Sequence, residues 1–141
     1  HGPICGCGKK GCLEALTAGP AMVRFVQQAL QKSQSSILSD TKDLTPEAIC
    51  NAAEKGDGPA QGAVAQSTFY LGIAVANIIN VISPNVIAIG GGISAAGDLL
   101  LKPIIESARQ YTLEGMFEPT SIVLATLGND AGVVGASRLV V

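Results

Sequence analysis

Residues 60–82, AQGAVAQSTFYLGIAVANIINVI, constrain this chain more than any other stretch. They are rich in Ala and Gly and nearly unbroken in apolar character after Phe69, the pattern of a helix buried on most of its circumference. Such a helix needs neighbours on several sides. Pro84 ends it, and Val86–Ile89 (VIAI) follows as a β-branched apolar run, short enough for an interior strand of a parallel sheet. The strand runs into Gly90, Gly91 and Gly92, and Ser94 is placed to cap the next helix. That helical region, residues 95–112, is expected to restart at Pro103, and Ser121–Leu127 (SIVLATL) reads as a second buried strand. Gly128, Asn129 and Asp130 then turn the chain into a last helix with small residues at Gly132, Gly135 and Ala136. The alternation describes an α/β unit with right-handed crossovers. Two strands are few for a sheet that must cover so long a helix, so the sheet is expected to be incomplete within these residues.

Upstream, LEALTAG and PAMVRFVQQALQK read as helix broken at Gly19-Pro20, with Val23, Val26 and Leu30 recurring at helical spacing. Residues 33–43 form a polar, Ser-rich loop. It ends at Thr45-Pro46-Glu47, an N-cap residue, a proline at the first helical position and an early acid, opening a short helix that runs to about Lys55 and stops at Gly56. Asp57, Asp98 and Asp130 read as turn or capping residues, and none has a partner that marks a general base. The 141 residues are 48% hydrophobic, which suits one domain. A formal net charge of -2 supplies no electrostatic footprint for nucleic acid or an anionic membrane. The most apolar run, Leu71–Ile82, is too short to span a bilayer and carries Asn77 and Asn80. The opening HGPICGCG has neither an initiator Met nor a basic and apolar leader, so the expectation is a piece or processed product of a longer, cytoplasmic protein.

Cys5, Cys7 and Cys12 form C-x-C-x4-C, with Gly6, Gly8 and Gly11 between them. Glycine lets the backbone fold tightly enough for sulfurs to converge, and Lys9 and Lys10 would stabilise thiolates by opposite charge. The spacing leaves three readings open: a zinc grip, reduced thiols on a glycine-rich loop, and redox chemistry. A Cys5–Cys7 disulfide would be strained, and an iron–sulfur cluster needs a fourth cysteine, whereas Cys50 lies inside a helix. A zinc held by three cysteines and one more protein ligand would be closed to substrate, hence structural. His1 is the sole imidazole in the chain. Glu14, two residues after Cys12, can be read as an acid in a first helical turn, stabilised by the helix dipole by about 0.3–1 kcal/mol. Gly90-x-Gly92-x-x-Ala95 satisfies the loose dinucleotide fingerprint, and a glycine turn between strand and helix suits a phosphate or nucleoside. A close-packed turn explains it equally well. No G-x-x-x-x-G-K-[ST] occurs.

Taken together, GPICGCGKKGCLEALTAG resembles the zinc-binding signature of the ROK family of sugar kinases and sugar-responsive repressors. NVIAIGGGIS and LGNDAGVVGAS resemble that family's nucleotide-side glycine motif and its C-terminal segment, so the resemblance covers nearly the whole chain. It implies an α/β ribonuclease H-like, actin-like ATPase fold whose two domains close over sugar and ATP. Residues 1–141 would then be a fragment of the C-terminal domain, with a zinc knuckle over 1–14 and helices and two sheet strands over 15–141. The resemblance makes Cys5, Cys7 and Cys12 three ligands of a structural Zn²⁺. It makes Glu14 the acid that hydrogen-bonds sugar hydroxyls, and places Gly90, Gly91 and Gly92 on the adenosine side of an ATP site, with Mg²⁺ accompanying ATP. The family's fourth zinc ligand is a histidine in a G-H element upstream of the position His1 matches, so His1 stays outside the ligand set. The family's D-x-G-G-T-type phosphate motif, its catalytic-aspartate segment and its histidine-bearing sugar segment are not in these residues. The implied function is part of a glucokinase-like hexose kinase, inactive as this chain alone; the alternative is the sugar-sensing domain of a ROK-type repressor. A dinucleotide-binding Rossmann unit is a third reading that leaves the cysteines unexplained. The partners implied are a sugar, ATP and a second copy of the protein, with no membrane and, outside the repressor reading, no nucleic acid.

Overall fold

The computed structural model describes residues 2–32, 34–127 and 130–139, without the side chain of Ile93. Helix α1 (Glu14–Thr17) is a single turn, and the chain resets to extended backbone at Ala18 before α2 (Gly19–Gln31), where Pro20 sits in the first turn. The expected break is therefore in place. Helix α3 (Pro46–Glu54) starts as its sequence signal requires, with the Thr45 hydroxyl accepting from the Ala48 N–H at 3.1 Å. Helix α4 (Gly58–Ile82) is capped by Asp57, whose carboxylate accepts from the Ala60 N–H at 3.0 Å. The same carboxylate accepts from the Ile37 N–H at 2.8 Å and the Ser36 hydroxyl at 3.0 Å, which ties the Ser-rich loop to the start of α4. Burial pushes the Asp57 pKa up, but the hydrogen bonds from Ala60, Ile37 and Ser36 outweigh it and hold the carboxyl below its ordinary value.

Helix α4 begins two residues ahead of the expected Ala60, because Asp57 and Pro59 supply the helix start. It is buried along one stripe only, through Ala60, Ala63, Val64, Ser67, Thr68, Gly72, Val75, Ala76 and Ile79, the i, i+3, i+4 rows of one face. The expectation of burial around most of its circumference is corrected: Val81 and Ile82 are 83% and 68% exposed. By length and composition α4 could cross a membrane, but its buried stripe packs against α2, α3 and a further helix, α5 (Asp98–Tyr111). These four helices hold the core, with Met22, Val26, Ile49, Ile79, Leu100 and Ile104 almost completely buried.

Strands β1 (Val86–Ile89) and β2 (Ser121–Leu124) pair in parallel, Val86 with Ser121 through Ile89 with Leu124. Among the described residues they are the whole sheet. Strand β1 is not interior as expected, since it lies at an edge and Val86 is 58% exposed, and β2, expected to be buried, buries Ile122 while Val123 is 38% exposed. Strand β2 also stops at Leu124, three residues short of the expected Leu127, because its partner β1 ends at Ile89. Between the strands, Gly92–Ala96 form a 3-10 turn in which the Ser94 hydroxyl donates to the Gly91 carbonyl. Ser94 therefore does not cap α5. Helix α5 starts at Asp98, an exposed first-turn acid paired with Lys102 at 2.9 Å, and runs through Pro103 rather than restarting there. Pro103 is the sixth helical residue, and only the Leu99 carbonyl lacks the amide it would otherwise meet. The Gly128-Asn129 turn lies outside the described residues; beyond it α6 (Ala131–Ser137) buries none of its side chains.

Candidate functional site

The glycine-rich opening folds into a knuckle closed by main-chain bonds. The Gly8 N–H donates to the Cys5 carbonyl at 2.9 Å and the Cys5 N–H to the Lys9 carbonyl at 2.8 Å, a tight turn in which Gly8 takes a φ of +83°. The Gly11 N–H then donates to the Pro3 carbonyl at 2.9 Å. This fold brings the sulfurs of Cys5, Cys7 and Cys12 within 4.8 Å of one another, with Cys7 and Cys12 at 3.6 Å. Zn–S bonds of about 2.3 Å in a tetrahedron set sulfurs about 3.8 Å apart, so the donor set fits a thiophilic cation with little movement. The four cysteines are free thiols, and Cys50, in α3, is outside the cluster. Hydrogen bonding from the Lys9 N–H, then from the Cys12 and Cys5 thiols, lowers the Cys7 pKa. The Cys7 and Cys5 thiols in turn push Cys12 up to about 11. A metal bound by these sulfurs would displace the thiol protons. His1 lies outside the described residues.

Glu14 connects this knuckle to a cleft. The Cys5 thiol donates to the Glu14 carboxylate at 3.5 Å, and Glu14 begins α1, whose carbonyl at Ala15 is held by the Arg24 guanidinium from α2. On its other side Glu14 lines an open cleft of about 710 Å³. Gly90, Gly91 and Gly92, at the end of β1, line the same cleft. Residues separated by 76 positions in sequence thereby share one concavity. The three glycines differ in what they require. A Cβ on Gly90 would stand 3.3 Å from the Ala125 Cβ beside β2, and Gly91 takes a φ of +101°, whereas a Cβ on Gly92 would meet nothing within 4 Å. Packing and turn geometry account for the first two, leaving Gly92 as the glycine that no contact among the described residues demands.

Gly92 also borders an adjoining pocket of about 270 Å³, formed between the 3-10 turn and one face of α3 carrying Glu47, Cys50, Asn51 and Glu54. Burial, then the Glu54 charge, raises the Cys50 pKa and keeps that thiol neutral. Thr45 and Glu47 line the main cleft as well. In the sequence they are helix-start residues. Nothing in their local pattern could have revealed more, because it is the packing of α3 beside the glycine turn that brings them to the cleft.

The ROK family sequence profile matches residues 1–141. The chain belongs to the ROK family. It is 39% identical over 143 residues to the glucokinase of Halalkalibacterium halodurans, an alignment covering 99% of this chain and 43% of that protein. It is also 31% identical over 137 residues to the DNA-binding transcriptional repressor Mlc of Escherichia coli, covering 97% of this chain and 34% of that one. Its structure superposes on a ROK family glucokinase from Streptomyces griseus, solved in complex with glucose and AMPPNP, with a TM-score of 0.84 and 32% identity. That match covers 98% of this chain and 47% of the glucokinase. The chain thus spans less than half the length of the relatives it matches. Its structural neighbours include ROK sugar kinases of the actin-like ATPase fold, of which the described residues of this chain supply helices and a two-stranded parallel sheet. Membership in the family sets aside the Rossmann reading, which rested on the glycines alone.

Proposed function

We propose that residues 1–141 are the C-terminal part of a ROK-type, glucokinase-like sugar kinase that transfers the ATP γ-phosphoryl group to a hexose hydroxyl in the cytoplasm. The observation that carries this reading is the single cleft of about 710 Å³ with Glu14 on one wall and Gly90–Gly92 on the other. A carboxylate accepts hydrogen bonds from paired sugar hydroxyls, and a bare glycine turn after a strand admits a nucleotide close to the backbone. The adjoining pocket at Gly92 and α3 has room for the nucleoside end. Cys5, Cys7 and Cys12 would hold Zn²⁺, which when bound replaces mobile thiol protons by a fixed link and so holds the loop leading to Glu14. Phosphoryl transfer depends on positioning and on charge stabilisation around the γ-phosphate by Mg²⁺ and a base. This chain has neither the family's phosphate motif nor its catalytic-aspartate segment, so the 141 residues by themselves are inactive.

Calorimetric titration of the intact protein with glucose tests the assignment of Glu14. Glu14→Gln replaces a charged acceptor by a neutral one, and the loss expected of charge-assisted hydrogen bonds, about 1.5–3 kcal/mol, weakens glucose binding about 10- to 100-fold. Unchanged glucose affinity in a folded, metal-loaded Glu14→Gln protein would remove Glu14 from the sugar site. A second reading, the sugar-sensing domain of a repressor, draws on the Mlc match over the same residues. Sugar-dependent ATP turnover by the intact protein decides for the kinase, and sugar-dependent release from DNA without turnover decides for the repressor.

A further inference from the structure

Helix α1 carries Glu14 yet has only four residues, too few to hold its shape unaided. Its carbonyls are those of a helix end, which need donors from outside. In a helix that continued, the Ala15 carbonyl would meet the Gly19 N–H. The reset to extended backbone at Ala18 breaks that pairing, and among the described residues no main-chain amide donates to the Ala15 carbonyl. The Arg24 guanidinium does so instead, from the second turn of α2.

What stands behind Arg24 is rigid. Met22 and Val26, two residues to either side of it, are completely buried in the core. The Phe25 ring centroid lies 5.3 Å from the guanidinium carbon, a cation–π contact that steadies the head group. Arg24 and Glu14 border a common pocket of about 240 Å³ together with Cys5 and Ala15, but among the described residues Arg24 forms no ion pair. The guanidinium therefore serves the backbone next to Glu14 and leaves the carboxylate to other partners. A charged donor on that carbonyl also makes a stronger bond than an amide would. We propose that Arg24 is a positioning residue: by holding the Ala15 carbonyl it locks α1 onto α2 and sets where Glu14 stands in the cleft. The effect on sugar binding, though not the lock itself, rests on the function proposed above.

Calorimetric titration of the intact protein with glucose tests this through a double-mutant cycle with Glu14. Arg24→Met keeps the side-chain stem and removes the donors, and glucose affinity is expected to fall about 2- to 10-fold, the worth of one hydrogen bond. In a Glu14→Ala background the same change should add less than about 2-fold, because no carboxylate is left to position. AMPPNP affinity should stay within about 2-fold in Arg24→Met, since Gly90, Gly91 and Gly92 stand on the other wall. Equal losses of glucose affinity in the two backgrounds, no loss in either, or a matching loss for AMPPNP overturns the positioning role. Arg24→Lys retains a charged donor and should recover glucose affinity to within about 2-fold, and failure of that rescue overturns the hydrogen bond as the cause. Amide hydrogen exchange gives a reading that needs no sugar. The Thr17 and Ala18 amides donate to the Leu13 and Glu14 carbonyls at 3.0 Å. They should exchange about 2- to 10-fold faster in Arg24→Met while the amides of α4 keep their rates, and unchanged exchange overturns the lock. Failure of the unsubstituted protein to bind any hexose would refute the proposed function and with it a role in sugar binding, while exchange would still decide the lock.

Discussion

The two walls of the cleft are built to different standards. Glu14 stands on a wall backed by the four-helix core, with Met22, Ile79, Leu100 and Ile104 almost wholly buried behind it. It is fastened there by the knuckle, by Arg24 and by the α1–α4 packing. The glycine wall hangs from four residues of β1, paired on one side with four of β2, and the following α6 buries nothing. The same contrast runs through α4 itself, whose buried stripe is continuous while Val81 and Ile82 face outward. The difference teaches where the stability of this chain resides. Helix packing supplies it, and the sheet side, which carries the proposed nucleotide contacts, takes its shape from the helices more than from its own short ladder.

The largest effects should therefore fall on the helical side. Ile79 is completely buried where α4 meets its neighbours, and Ile79→Ala is expected to cost about 2–5 kcal/mol through lost burial and the cavity left behind. Val81, two residues further and 83% exposed, is its internal control. Val81→Ala should stay within about 0.5 kcal/mol. Urea denaturation of both variants measures the contrast directly. Equal losses would mean that the outer face of α4 is covered in solution, and the comparison between the two faces would collapse.

Next in size is the anchor of the Ser-rich loop. Asp57 is 8% exposed and accepts three hydrogen bonds, two from main-chain amides. Asp57→Asn keeps the shape but gives up the charge, at an expected cost of about 1–2 kcal/mol at neutral pH. Since the folded carboxyl titrates below its ordinary value, its contribution is complete above the unfolded pKa of about 3.9 and is lost as pH falls through the lower folded value. The unsubstituted chain should thus lose stability below about pH 4 more steeply than Asp57→Asn. Parallel acid-unfolding curves for the two would show that the charge on Asp57 does not hold the loop.

Much of this arrangement was legible in the sequence, and the failures share a cause. Helix starts at Thr45-Pro46 and Asp57-Gly58-Pro59 were readable, or nearly so, because capping is local chemistry between residues three apart. The parallel pairing of VIAI with SIVL was readable from two short apolar runs separated by a helix. The circumference of α4 was not, because apolar residues on both faces look alike until the partner elements are in place. Pro103 was misread for a related reason, since a proline in the second turn leaves only one carbonyl without its amide and the flanking packing of Leu100 and Ile104 carries the helix through. In the site, C-x-C-x4-C predicted its own convergence through local turns. That Glu14 would face the glycine run, and that Thr45 and Glu47 would join them, depended on tertiary packing that no local spacing encodes.

The smallest expected change in stability is also the one that says most about the glycine wall. A Cβ at Gly92 would meet no atom of the described residues within 4 Å, so Gly92→Ala should leave stability within about 0.5 kcal/mol of the starting protein. Gly91→Ala, by contrast, must hold an L-residue at a φ of +101° and should cost about 1–3 kcal/mol. Gly92 lines both the cleft and the adjoining α3 pocket. If a nucleotide approaches the backbone there, Gly92→Ala weakens its binding several-fold in an otherwise normal protein, and Gly91→Ala weakens it only as far as it loosens the turn. Titration of AMPPNP into the two variants of the intact protein, with Tm measured alongside, separates ligand contact from fold. Nucleotide affinity untouched by Gly92→Ala would reduce the three glycines to a strand-to-helix turn, and the lean wall of the cleft would then have to find its ligand contacts on α3.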